Sequence, residues 1–146
     1  MKTLNKMDKI QAMNMLNDVI THFGKNPKEL RSIGTRGYND TCLYLPPKDK
    51  PKSIGCAIGM YLSNKTAKQL DGKTGQDIIS VFESKNKKCL PKWMQKMNIK
   101  FLADLQDLHD LSEYWNLKKN KGLSNNGKEY VKRIEKEIKN GVYNAK

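Results

Sequence analysis

Cys56 and His109 are the residues whose types most readily suggest chemistry. Cys56 sits in the small-residue block Gly55-Cys56-Ala57-Ile58-Gly59. A cysteine at a helix start can have a lowered thiol pKa and act as a nucleophile, with a histidine as its base. The same block admits a second reading. Cys-Ala-x-Gly suits close approach of backbone to a neighbouring helix, and buried free cysteines behave as small hydrophobes. A zinc site from Cys42, Cys56, His109 and a carboxylate is conceivable. The long interval between the two cysteines is unlike a metal knuckle, so no metal and no cofactor is expected.

Asp110 follows His109 directly, in Leu105-Gln106-Asp107-Leu108-His109-Asp110. An adjacent His-Asp pair resembles the motif of metal-dependent phosphohydrolases, which need a further upstream His and a downstream Asp. His22 is the only other histidine, and no aspartate follows Asp110. The constellation is incomplete. Cys56, His109 and Asp110 remain catalytic candidates, with core-edge packing of His109 as the other reading.

Anion binding has a local candidate. In Gly34-Thr35-Arg36-Gly37-Tyr38 the glycines can expose backbone N–H groups. Arg36 can fork onto a phosphate and Tyr38 can stack on a base. Lys48, Lys50 and Lys52, in the loop Pro46–Lys52, could close over the same anion beside Tyr44. There is no P-loop and no dinucleotide fingerprint. The formal net charge of +13 favours polyanionic partners. Only Arg31, Arg36 and Arg133 are arginine. A surface rich in lysine and poor in arginine suits phosphate neutralisation better than reading of base edges. Codon drift toward Lys, Asn and Ile is the bland source of the same charge. Against this background the segment 98–115 carries Asp104, Asp107, Asp110 and Glu113. Three-residue spacing winds these carboxylates round a helix, which argues against a metal cluster on that helix alone.

The elements that must hold these residues are mostly helical. Ala12, Met13, Leu16, Val19, Ile20 and Phe23 form one apolar face. Asn5 can cap that helix, with Asp8 three residues on, and Gly24 and Pro27 end it. His22 falls off the apolar face and is expected in solvent. Residues 30–40 read as loop. Thr41–Leu45 is β-branched and aromatic and reads as a strand, pairing with Ser53–Ala57 as a hairpin. Ser63 or Asn64 caps a helix ending at Asp71-Gly72. Thr74 caps the next, with Asp77 in the capping-box position. Lys85, Lys87 and Lys88 form a linker, and Pro91 opens a segment with Trp93, Met94 and Met97. Asn98 caps a helix over about 99–115 whose face is Phe101, Leu102, Leu105, Leu108, Ser112 and Trp115. A last helix runs from about Ser124 to Gly141, with Tyr130, Val131, Ile134 and Ile138 inward. The expectation is a mainly α (α+β) fold in one domain, 1–146, with about five helices round one core and a small hairpin near 41–57. The spacing of Cys42, Cys56 and Cys89 matches no zinc ribbon. The N-terminus lacks the apolar run of a secretory signal, and no stretch could span a bilayer. A cytosolic protein with reduced thiols, away from membranes, is expected.

The order Cys42-x-Tyr44, basic loop, Cys56-Ala57-Ile58-Gly59, then Leu105-Gln106-x-x-His109-Asp110 resembles a group of small phage and prophage accessory proteins. The resemblance covers roughly residues 10–115, through a handful of positions. It implies a protein of the host cytoplasm that serves host takeover or counter-defence. Joined to the charge, this gives the leading expectation: a non-enzymatic binder of an anionic ligand, sequestering a nucleotide signal or contacting nucleic acid. A homo-oligomer is compatible with such sequestration. Two alternatives stand: a small phosphohydrolase or thiol enzyme using Cys56, His109 and Asp110, and an inhibitor that docks on a host protein. In the leading reading Cys42 and Cys56 fix a hairpin against the His109 helix, and the loop Pro46–Lys52 meets the ligand.

Overall fold

The computed structural model of the protein describes residues 8–31, 33–36, 39–42, 44–45, 53–71 and 77–144; of 33–36, 39–42 and 144 it describes the backbone. Seven α-helices stand among these residues: α1 (Lys9–Gly24), α2 (Pro27–Leu30), α3 (Asn64–Asp71), α4 (Ile78–Glu83), α5 (Lys92–Gln95), α6 (Ile99–Asp110) and α7 (Asn125–Lys139). The fold is mainly α, as the apolar periodicity predicts.

The organising element is α6. Its Phe101, Leu102, Leu105 and Leu108 are fully buried, and α1, α4 and α7 all pack against it. Each contributes an apolar stripe: Ala12, Met15, Leu16, Val19 and Phe23 from α1, Ile78 and Val81 from α4, Val131, Ile134 and Ile138 from α7. Burying a side chain of this size is worth about 1.5–3 kcal/mol, so these stripes are the main source of stability.

Helix starts follow local capping chemistry. Asn98 Oδ1 accepts from Phe101 N, Ser124 Oγ from Gly127 N, and Ser63 Oγ from Thr66 N. Two caps differ from expectation. The N-cap of α1 is Asp8, whose carboxylate accepts from the amides of Ile10 and Gln11; Asn5 lies outside the described residues. The N-cap of α4 is Asp77, bonded to Ser80 N, and Thr74 also lies outside them. Lys85–Cys89 is a 3-10 helix and not a bare linker.

Helix α6 ends at Asp110, short of the expected Trp115. Arg31, almost fully buried, explains the stop. Its Nε donates to His109 O at 2.7 Å and its Nη2 to Asp110 O at 2.5 Å. A guanidinium on the terminal carbonyls satisfies groups that a helix leaves orphaned and complements the dipole. Trp115 lies beyond, bridged to Leu123, with its indole N–H donating to Leu108 O. Ser112 is exposed, not on the buried face.

The hairpin expected at 41–57 is not supported. The antiparallel ladder joins β1 (Ile33–Arg36), in a stretch that reads as loop, to β2 (Asn39–Cys42), in the register Ile33 to Cys42. Ser53–Gly55 is not a strand. Ser53 Oγ donates to Leu30 O and accepts from Gly55 N, and Gly55 has φ +101°. That backbone cannot continue a ladder. No helix among the described residues is long and apolar enough to cross a membrane.

Candidate functional site

Gln106, fully buried on α6, joins two distant parts of the chain. Its Oε1 accepts from Ile78 N at the start of α4, and its Nε2 donates to the Tyr44 hydroxyl at 3.1 Å. Tyr44 is itself fully buried. Burial pushes its hydroxyl above the ordinary phenol range. The Asp71 carboxylate fixes the backbone there, with one oxygen accepting from Tyr44 N at 2.9 Å and the other from Leu45 N at 2.8 Å. These amides are taken by a side chain, and Tyr44 and Leu45 stand outside the ladder that the notional strand Thr41–Leu45 would extend. Tyr44 is thus a core residue. It presents no ring face to a ligand, which corrects its expected place beside an anion.

Gly59 lies directly against Tyr44. A Cβ on Gly59 would sit 2.1 Å from Tyr44 O, and one on Gly55 would sit 2.4 Å from it. Cys56, Ala57 and Ile58, between them, are fully buried. The Gly55–Gly59 block is therefore a turn pressed onto the Tyr44 backbone. Cys56 is disulfide-bonded, whereas Cys89 is free. A sulfur held in a disulfide has no thiolate to act as a nucleophile, and the expectation of reduced thiols fails at Cys56. The Cys42 side chain lies outside the described residues.

His109 is fully buried, and its Nδ1 stands 2.6 Å from Asp110 Oδ1. The carboxylate accepts from the Nδ1 N–H of the ring. The ring packs edge-to-face on Phe23 at 4.5 Å between centroids. With no exposed surface on His109, a substrate from solution cannot reach its ring as it stands, although Asp110 keeps part of its side chain in solvent. His22 is not the solvent-exposed residue its helical angle suggests. It packs edge-on to Phe23, and its Nε2 is sealed without a hydrogen-bond partner among the described residues. Burial, and then the charges of Lys25 and His109, hold its pKa below the ordinary imidazole value. No group of three or more metal-ligating side chains occurs among the described residues.

The acidic face of α6 has a structural use that its spacing does not announce. Asp104 is nearly buried and accepts from the Tyr143 hydroxyl at 2.6 Å, with Arg133 Nη2 at 3.6 Å and Lys100 Nζ at 3.5 Å. Burial, with Asp110 and Asp104 as neighbours, raises the Asp107 pKa. Beside this cluster a groove of about 440 Å³ is lined by Glu113, Tyr114, Asn126, Glu129, Tyr130 and Arg133. Tyr114 stacks on Tyr130 at 4.3 Å, and Arg133 covers the Tyr130 ring. Because Arg133 is held by Glu137 at 2.8 Å and by Asp104, it is not offered to a phosphate. Tyr130 thus lies at the margin of the core, half-buried.

Of the expected anion-binding residues, Arg36 is described only as backbone in β1, and Tyr38, Lys48, Lys50 and Lys52 lie outside the described residues. The lysines that are described stand elsewhere. All are exposed except Lys87, which is half-buried over the Phe82 ring. Their ion pairs among the described residues are Lys100 to Asp104 and Lys132 to Glu129. Residues 84–103 hold six lysines and no carboxylate. That run is readable in the sequence; dividing it between a linker and a helical segment hides it. Comparison with protein-family models, with curated proteins and with solved structures finds no match for the chain.

Proposed function

We propose that this protein is a non-enzymatic, phage-type accessory protein that binds an anionic ligand, nucleic acid or a nucleotide. The observation that carries the reading is the lysine surface. A chain of net charge +13 keeps nearly every described lysine in solvent, with few carboxylates beside them. Such a surface lowers the free energy of any polyanion near it and speeds its encounter. The alternative based on catalysis loses support from the same geometry. Cys56 is in a disulfide, and His109 is enclosed by Phe23, Asp110 and the α6 terminus. The phage setting, with host takeover or counter-defence as its purpose, rests on the resemblance of the Cys42-x-Tyr44 and Cys56–Gly59 segments and of the Leu105–Asp110 run.

Titration calorimetry at low salt, against mononucleotides, cyclic dinucleotides and short oligonucleotides, tests the reading. Binding that weakens as salt rises is the expected result. Heats indistinguishable from dilution for every member of the panel would refute it.

A further inference from the structure

Trp93 is one of the few large apolar side chains that the fold leaves in solvent, 38% exposed. It is not loose. The Tyr61 ring meets it edge-on at 5.7 Å, and the Tyr61 hydroxyl donates to Asp18 at 2.7 Å. The brace runs from α1 through the 3-10 turn Gly59–Tyr61 to α5 and orients an exposed indole. Lysines surround Trp93 in sequence. Lys85 and Lys88 fall three apart on a 3-10 helix, where such positions eclipse. Lys92 and Lys96, at the start of α5 and at its C-cap, fall four apart and share a face. All four are exposed, and none makes an ion pair or side-chain hydrogen bond among the described residues.

We propose that Trp93 and Lys85, Lys88, Lys92 and Lys96 form a binding surface for single-stranded nucleic acid, on which the indole stacks an unpaired base and the ammonium groups meet the phosphates. The proposal rests on the anionic-ligand reading above and names its surface. Four separated, strongly hydrated point charges fit a repeating phosphate chain better than one compact anion. A partly exposed indole can stack a base whose own face is free, which a single strand offers and a duplex does not. A lipid surface fits less well. Leu90, Met94 and Met97, its apolar neighbours in sequence, are all turned into the core and could not enter an acyl layer. The acidic tyrosine groove at Tyr114 and Tyr130 repels the same strand through Glu113 and Glu129.

The test uses both tryptophans of the full chain. Trp115 is 3% exposed, so its emission reports folding while Trp93 reports contact. Short oligothymidylate should quench Trp93 emission; its duplex form should quench far less. Anisotropy of a labelled strand should show a salt slope near −3, about −0.7 for each of four phosphate contacts, and each Lys→Gln change should remove about 0.7 of it. Trp93→Ala should weaken binding about ten- to hundred-fold, and Trp93→Phe should recover part of the loss. If oligonucleotide binds but Trp93 is not quenched and Trp93→Ala binds as tightly as wild type, this surface is wrong and the anionic-ligand reading stands. If neither oligonucleotides nor nucleotides bind at low salt, both fall. Equal affinity for duplex, or a blue shift with anionic phosphatidylserine vesicles and no response to oligonucleotide, would also overturn it.

Discussion

Replacing Gly59 by alanine should unfold or nearly unfold the protein, for a reason that can be separated from the general cost of losing a glycine. The new Cβ would sit 2.1 Å from Tyr44 O and 2.7 Å from both Tyr44 C and Cα, where ordinary contact begins near 3.4 Å. More than an ångström of backbone movement is required. Tyr44 cannot supply it cheaply. Its amide and that of Leu45 are held by Asp71, its ring is fully buried and its hydroxyl is bonded to Gln106. Overpacking costs about 1–3 kcal/mol, and disturbing two or three of these hydrogen bonds adds about 1 kcal/mol each. The total, about 3–6 kcal/mol, is a large part of the ~5–15 kcal/mol that holds a typical domain. Two other glycines calibrate the experiment. A Cβ at Gly122 meets nothing within 4 Å, but φ is +74°, so Gly122→Ala should cost about 1–2 kcal/mol in backbone strain alone. Gly24 closes α1 and a Cβ there finds ordinary contacts from 3.6 Å, so Gly24→Ala should be neutral or stabilise by up to about 1 kcal/mol. Urea unfolding followed by circular dichroism gives the three midpoints at a common m-value. A Gly59→Ala protein within 1 kcal/mol of wild type, or less damaged than Gly122→Ala, would refute the account of the Tyr44 junction.

Two further outcomes follow from the cysteine and histidine positions. Because Cys56 is disulfide-bonded and the chain has three cysteines, denatured protein should show one thiol to a colorimetric reagent before reduction and three after; three before reduction would refute the bond. His22 has a pKa below the ordinary 6.5 in the fold, so the unfolded chain takes up its proton first as pH falls. Stability should therefore be unaffected by this group above pH 6.5 and decline below it. His22→Gln should flatten the loss of urea midpoint between pH 7.5 and 5.5 by the equivalent of less than one proton, and identical slopes in the two proteins would exclude the effect.

What was legible in the chain divides by range. Asn98, Ser124 and Ser63 cap their helices because a cap is settled within three or four residues, and the apolar stripes of α1, α6 and α7 are set by spacing alone. Asp8, which the spacing places three residues behind an Asn5 cap, is itself the cap of α1, and that choice belongs to the packed helix. The end of α6 was not legible, since Arg31, some eighty residues away, closes it. The misplaced hairpin has the same cause. Thr41–Leu45 has the composition of a strand throughout, but Asp71 takes the amides of Tyr44 and Leu45, and only contacts distant in sequence decide between a ladder and a carboxylate.

Several residues of the Cys42-x-Tyr44, Cys56–Gly59 and Leu105–Asp110 segments meet one another. Tyr44 bonds to Gln106, Gly59 lies on the Tyr44 backbone, and His109 and Asp110 end the same helix under Arg31. Tyr44, Cys56, Ala57, Ile58, Gly59, Leu105, Gln106 and His109 are all buried. A pattern built of buried residues specifies packing, because each member is constrained by its neighbours whatever the surface does. For the same reason His109 and Cys56, the residues that look most chemical in the sequence, are poor guides to function in this chain. The better guide is a residue that costs the fold something and is retained in solvent. Trp93, braced by Tyr61 and Asp18 and lying in a lysine-rich stretch of sequence, 84–103, that holds no carboxylate, meets that description. Its removal should leave the scaffold intact and change what the protein does, whereas removal of Tyr44 or Gly59 should do the reverse.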